Sequence, residues 1–258
     1  MTKIDPLPPS AVSRATTPTQ LLDAAERLFA ERGIDSVSIR EIVRASGQAN
    51  LSAAHYHFGS RDALVAALVE RRMRTINALR HHRLDELATS GMAGHVPAII
   101  HATVGVLAGV VKTEPWGPDY VCITAAANFN TRMRLNRLVD PQSVSGLLRV
   151  VEMVRVLLPH LPAQVFRERM RIVNNETTYS IARWVQTHGA VTTVNGRKFD
   201  AMVRNLADFL AAGVVAEHNP APQRRVRVAA AAWDAGRTKV PTRVRPGRQV
   251  LDAAAVFP

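Results

Sequence analysis

Hydrophobic residues recur along much of this chain at the three- and four-residue spacing of helices. Leu21, Leu22, Ala25, Leu28 and Phe29 form the first apolar stripe. It lies between Thr17-Pro18-Thr19, where Pro suits a helix start, and Gly33, a C-terminal stop. A helix over 17–32 is predicted. Ser38 then offers a hydroxyl to an orphan amide, and Glu41 three residues later completes a capping box. Ile39, Ile42 and Val43 give the short helix behind it one apolar face. Gly47 permits a tight turn. A second short helix is predicted from near Asn50 to His57, with Phe58 as an apolar plug. Gly59 breaks the chain and Ser60 caps the next helix.

That next helix is predicted to run to about Leu87, on the stripe Leu64, Val65, Leu68, Val69, Met73, Ile76 and Leu79. Arg71, Arg72 and Arg74 read as a solvated face, and His81 and His82 as exposed. After the break at 90–94, Val96 to Val111 is an apolar run too short for a membrane span, so it reads as a buried helix. A loop at 114–118 precedes an apolar stretch from Tyr120 to Phe129 and an Arg-rich stretch to Leu138. Ser143 or Ser145 is the expected cap of a helix ending at Leu158. Long helices over Ala163 to His188 and Phe199 to Ala216 follow. Asn174, Asn175 and Glu176 either meet a ligand's polar end or form a solvated face. The predicted class is all-α. The predicted organisation is a flexible arm at 1–16, a compact head at 17–62, a helical body at 63–216 and a basic tail at 217–258.

Two short helices about a glycine turn make a helix-turn-helix, whose second helix normally enters the DNA major groove. An ordinary αα-corner has the same pattern. The formal charge of +12 suits a polyanionic partner, but residues 1–60 carry six basic and six acidic groups and contribute none of it. Eight basic against three acidic groups lie in 217–258. Cys122 is the only cysteine, so no intrachain disulfide forms, which fits a reducing, cytoplasmic setting. No export signal precedes the first helix. His55 and His57 lack a third ligand for a metal. No phosphate-binding glycine loop, HExxH or GxSxG motif occurs, so no catalytic residue, metal or cofactor is expected.

Residues Leu21 to Leu64 resemble the DNA-binding region of the TetR family of bacterial repressors. The matching pieces are LLDAAERLFAERGIDSVSIREIV, HYHF and GSRDAL, in the family's order and spacing. The turn Gly47-Gln48-Ala49-Asn50 looks one residue longer than the family's Gly-Val-Ser. The resemblance implies a DNA-binding homodimer with a ligand-binding body. Gln48, Asn50, Leu51, Ser52, Ala53 and His55 are then the candidates for base readout, with Tyr56 partly braced. Thr19, Ser38, Arg40, Tyr56, His57 and Arg61 are the candidates for the DNA backbone. Arg61 at a helix start suits a phosphate held there. His101, Trp116, Tyr120, Phe129, Met170, Asn174 and Thr177 are candidates for a pocket taking a small lipophilic effector. Ile181, Trp184, Met202, Leu206 and Phe209 are candidates for dimerisation. Expected partners are double-stranded DNA, a second copy and the effector, with no membrane. The alternative is a helical adaptor whose nonspecific nucleic-acid affinity comes from the basic tail.

Overall fold

The computed structural model describes residues 17–48, 51–129 and 140–219. Among these residues there are nine α-helices and no strand. They are α1 (Thr17–Arg32), α2 (Ile39–Ala45), α3 (Leu51–Phe58), α4 (Arg61–Thr89), α5 (Val96–Thr113), α6 (Gly117–Phe129), α7 (Ser145–Leu157), α8 (Ala163–His188) and α9 (Gly196–Val215). The all-α expectation therefore holds. The N-terminal arm, Asn50, the stretch to Leu138 and the tail beyond Asn219 lie outside the described residues.

The head is α1, α2, α3 and the start of α4, with α1 packed on the other three. Leu21, Ala25, Ile42, Ala54 and Leu64 are fully buried there. Local chemistry sets the boundaries. The Ser38 hydroxyl accepts from the Glu41 amide at 3.3 Å, while the Glu41 carboxylate accepts from the Ser38 amide at 2.8 Å. Ser60 likewise accepts from the Ala63 amide at 3.1 Å. Gly47 turns between α2 and α3 with φ of +75°, a left-handed value that a side chain would strain.

The 29-residue α4, roughly 44 Å long, runs unbroken from head to body. In the body α5 packs between α4 and α9, α6 lies on α8, and α7 lies on α4. At 18 residues α5 is long and apolar enough to cross a membrane by composition alone, yet it is packed among α4, α6 and α9. Helix α6 starts at Gly117, inside the expected loop, and only glycine fits there, since a Cβ would collide with the Val110 carbonyl. The cap before α7 is neither expected serine. Asp140 accepts from the Gln142 amide at 2.9 Å and opens a short 3-10 turn that leads into α7.

Three surface expectations on α4 are overturned. Arg71 and Arg72 are half-buried and ion-paired to α1, and only Arg74 of the three is exposed. His81 is half-buried, its Nε2 3.1 Å from the Ser145 hydroxyl. Leu79 is exposed while Arg80 beside it is buried. The inward positions Met73, Ile76, Asn77, Arg80, Leu84 and Leu87 follow the helical period, but two of them are polar.

Candidate functional site

The head presents one outward face built on α3. Ser52, His55 and Tyr56 are exposed and share a helix face at three- and four-residue spacing, while Ala54 points into the core. Tyr56 is 86% exposed and meets only the edge of the His57 ring, at 5.1 Å. It stands in solvent, against the expectation that it is partly braced. His55 Nδ1 lies 3.3 Å from the Gly59 carbonyl, across the end of the helix. The side chains of Leu51 and Ala53, with Asn50, lie outside what is described.

The neighbouring residues differ in exposure and in their contacts. Thr19, Arg40, Arg44 and His57 are exposed. Gln48 donates to the Gln20 side chain at 2.8 Å, tying the turn to α1. The Ser38 hydroxyl is committed to the capping box, since it also donates to the Glu41 carboxylate at 2.7 Å. Arg61 turns inward. It donates to the Val37 carbonyl at 3.0 Å and to the Ile34 carbonyl, and its guanidinium stands 5.7 Å from the Phe29 ring centroid. Arg61 thus binds the α1–α2 connection to α4.

Head and body are joined by an ion cluster that sequence reading missed. Glu26 on α1, only 7% exposed, accepts from Arg71 at 2.8 Å and from Arg72 at 2.9 and 2.5 Å. Arg71 also pairs with Asp23 at 2.7 Å. The Arg72 guanidinium stacks over Trp116 at 4.7 Å, and Trp116 meets Tyr120 edge-on at 5.9 Å. Burial raises the Asp119 carboxyl above its usual range, and Glu26 and Glu31 add to the shift. Trp116, a pocket candidate from sequence, belongs to this junction instead.

A cavity of about 40 Å³ lies in the body where α4, α5, α6, α7 and α8 meet. Its apolar wall includes Met73, Ile76, Leu107 and Leu147, and its polar wall includes Arg80, Tyr120, Thr124, Asn128, Asn174 and Thr177. Of the sequence candidates, the fold brings Tyr120, Asn174 and Thr177 here. Met170 is buried in the core but does not line the cavity. His101 faces away and pairs with Asp208 at 2.8 Å. Phe129 is exposed and stacks on Tyr179 at 4.1 Å. Arg80, unremarked in sequence, lines the wall because it occupies a core position of α4. Burial lowers its guanidinium to about 10, with the Tyr120 phenol acting against that shift. Burial likewise raises the Tyr120 phenol.

The outer face of α8 and α9 carries a groove of about 350 Å³ lined by Trp184, His188, Met202, Leu206 and Phe209. Trp184 stacks on His188 at 4.0 Å, and Phe209 is largely exposed. Ile181 is fully buried in the monomer's own core, so it is not on this face. Among the described residues no group of His, Cys, Asp and Glu could hold a metal.

Two family descriptions match the chain. Residues 21–68 match the bacterial regulatory proteins of the tetR family, and residues 101–213 match the tetracyclin repressor-like C-terminal domain. No curated protein matches the sequence. Among solved structures, the fatty acid degradation regulator FadR from Bacillus halodurans aligns with a TM-score of 0.55 at 14% identity. It covers 75% of this chain and 97% of its own. The transcriptional regulator FadR from Bacillus subtilis, solved with stearoyl-CoA, aligns with a TM-score of 0.51 at 14% identity and the same coverage. At such identity these likenesses speak for the fold alone. The family matches fall on the two parts that the architecture separates, a helix-turn-helix head and a helical body, and the chain belongs to the TetR family of bacterial transcriptional regulators.

Proposed function

We propose that this protein is a ligand-responsive repressor that binds a palindromic operator as a homodimer in the cytoplasm and is released by a small lipophilic effector. The observation that carries the reading is the outward face of α3. Ser52, His55 and Tyr56 stand together on a helix whose other side is anchored by Ala54. Base readout falls to this face and to the turn before it, and backbone contact to Thr19, Arg40, Tyr56 and His57. Arg61 and Ser38 are left bracing the motif.

Dimerisation through α8 and α9 is supported by the exposed apolar groove that holds Phe209 and Trp184. A two-fold protein reads two half-sites about 34 Å apart. The effector reading is supported by the partly apolar cavity and by α4, which carries both the junction arginines and the cavity wall. Arg72 and Arg80 are about 12 Å apart along that helix. Release requires that the effector prefer the body shape in which the two heads no longer match the operator spacing.

The test is binding to DNA from the protein's own upstream region against scrambled DNA, across a salt series. The expected result is a specific complex with two chains per site, lost in Tyr56→Ala while the dimer stays folded. Equal binding to both DNAs, abolished by removing residues 219–258, would overturn the reading in favour of nonspecific affinity from the tail.

A further inference from the structure

Among the described residues the cavity holds a charge without a counter-charge. Arg80 is the only charged side chain in its wall among the described residues, and it is 6% exposed. Among the described residues its one hydrogen-bond acceptor is the Asn77 amide oxygen at 3.2 Å, and no carboxylate pairs with it. A buried charge left unpaired is costly, and native cores rarely keep one without a use.

The surroundings hold this arginine in place. The Asn77 oxygen also accepts from the Gly146 amide at 3.2 Å, while the Asn77 amine donates to the Ser143 carbonyl. At Gly146 a Cβ would lie 2.8 Å from the Asn77 oxygen and 3.2 Å from Arg80 Cδ, so glycine lets α7 close on the pair. Arg80 Nε and both polar atoms of Asn128 are buried without a hydrogen-bond partner. Buried polar atoms are normally satisfied. Here unsatisfied donors and an acceptor gather at one cavity, beside the apolar Met73, Ile76, Leu107 and Leu147.

We propose that this cavity takes an amphipathic carboxylate, its anionic end on Arg80 and Asn128 and its apolar part along Met73, Ile76, Leu107 and Leu147. The proposal deepens the effector reading above and rests on it. At about 40 Å³ the unliganded cavity accommodates a few water molecules, so a chain of several carbons must widen it. Two of its walls are α4, which also carries Arg72, and α6, which begins directly after Trp116 at the junction with the head.

The experiment is calorimetric titration of the full chain, without DNA, with butyrate, hexanoate and octanoate, each against its primary amide. The expected result is that at least one carboxylate binds, about 10- to 100-fold more tightly than its amide, as one charge-assisted contact supplies. Arg80→Met is expected to fold and to lose that discrimination, and Arg80→Lys to retain part of it. Binding of no carboxylate, equal binding of acid and amide by the wild-type chain, or discrimination surviving in Arg80→Met would each overturn the proposal. The wild-type comparison stands even where a variant fails to fold. Because the titration contains no DNA and the operator test contains no ligand, the two readings fail separately.

Discussion

Replacing Glu26 by Gln tests whether the junction is an energetic link or a crystal-like surface decoration. The Glu26 side chain is 9% exposed, and those of its partners Arg71 and Arg72 are 18% and 22% exposed. Three N–H groups from two guanidiniums converge on this one carboxylate. Removing one partner of a fully buried pair costs about 3–5 kcal/mol. The arginines reach some solvent, and Arg71 keeps Asp23, so the lower end applies and about 3 kcal/mol is expected. For a chain of this size that is a fall in Tm of roughly 6–12 °C. Urea unfolding of the wild type, Glu26→Gln, Arg72→Met and the double variant gives the coupling by difference, expected at about 1–2 kcal/mol. A Glu26→Gln chain within about 0.5 kcal/mol of wild type would refute the argument, since the cluster would then behave like an exposed pair.

Three further outcomes follow from the same geometry. Gly117→Ala places a methyl against the Val110 carbonyl and 2.8 Å from Val111 Cα, both backbone. A loss of about 1–3 kcal/mol is expected in urea unfolding, as in overpacking elsewhere, and an unchanged midpoint would contradict the close α5–α6 approach. The Glu41 carboxyl is held down to about 2, first by the Ser38 amide and then by the Ser38 hydroxyl and Arg32. Because its folded value lies below its unfolded one, its contribution is complete above about pH 4.5 and fades as pH falls towards 2. Carbon-detected titration of Ser38→Ala is expected to raise that midpoint only partway, since the amide donor stays. Cys122 is pushed up to about 11 by burial and by Asp119. Against an ordinary thiol at 9.0, its reaction with a disulfide reagent at pH 8 is expected to be about 10-fold slower in the folded chain than in urea, since the smaller thiolate fraction is partly offset by the greater nucleophilicity of a more basic thiolate.

The head was legible in sequence because its signals are local. Ser38 and Glu41 specify a helix start within four residues, Gly47 a turn at one residue, and Phe58 the apolar plug at the end of α3. The exposure of Tyr56 was misjudged because an aromatic at that position fits the core and the solvent equally well until α1 and α4 are placed. The contacts of Arg61 were hidden for a related reason. A cation at a helix start suggests a phosphate, yet its acceptors are carbonyls 24 and 27 residues earlier in the chain.

By itself the sequence determined the helical class, the capped helix-turn-helix and the long stripe that becomes α4. These depend on hydrogen bonds and periodicity within a few residues, where the chain carries its own instructions. Only the tertiary structure decided which charges are buried. Arg71, Arg72 and Arg74 are the same residue type in one run, and Glu26, 45 residues away, separates the first two from the third. Leu79 faces water and Arg80 the core because α5, α6 and α7 close on one side of α4 and leave the other to water. The cavity, the junction and the unpaired guanidinium are products of that closure. Their energies depend on distances between helices remote in sequence, which no local pattern encodes.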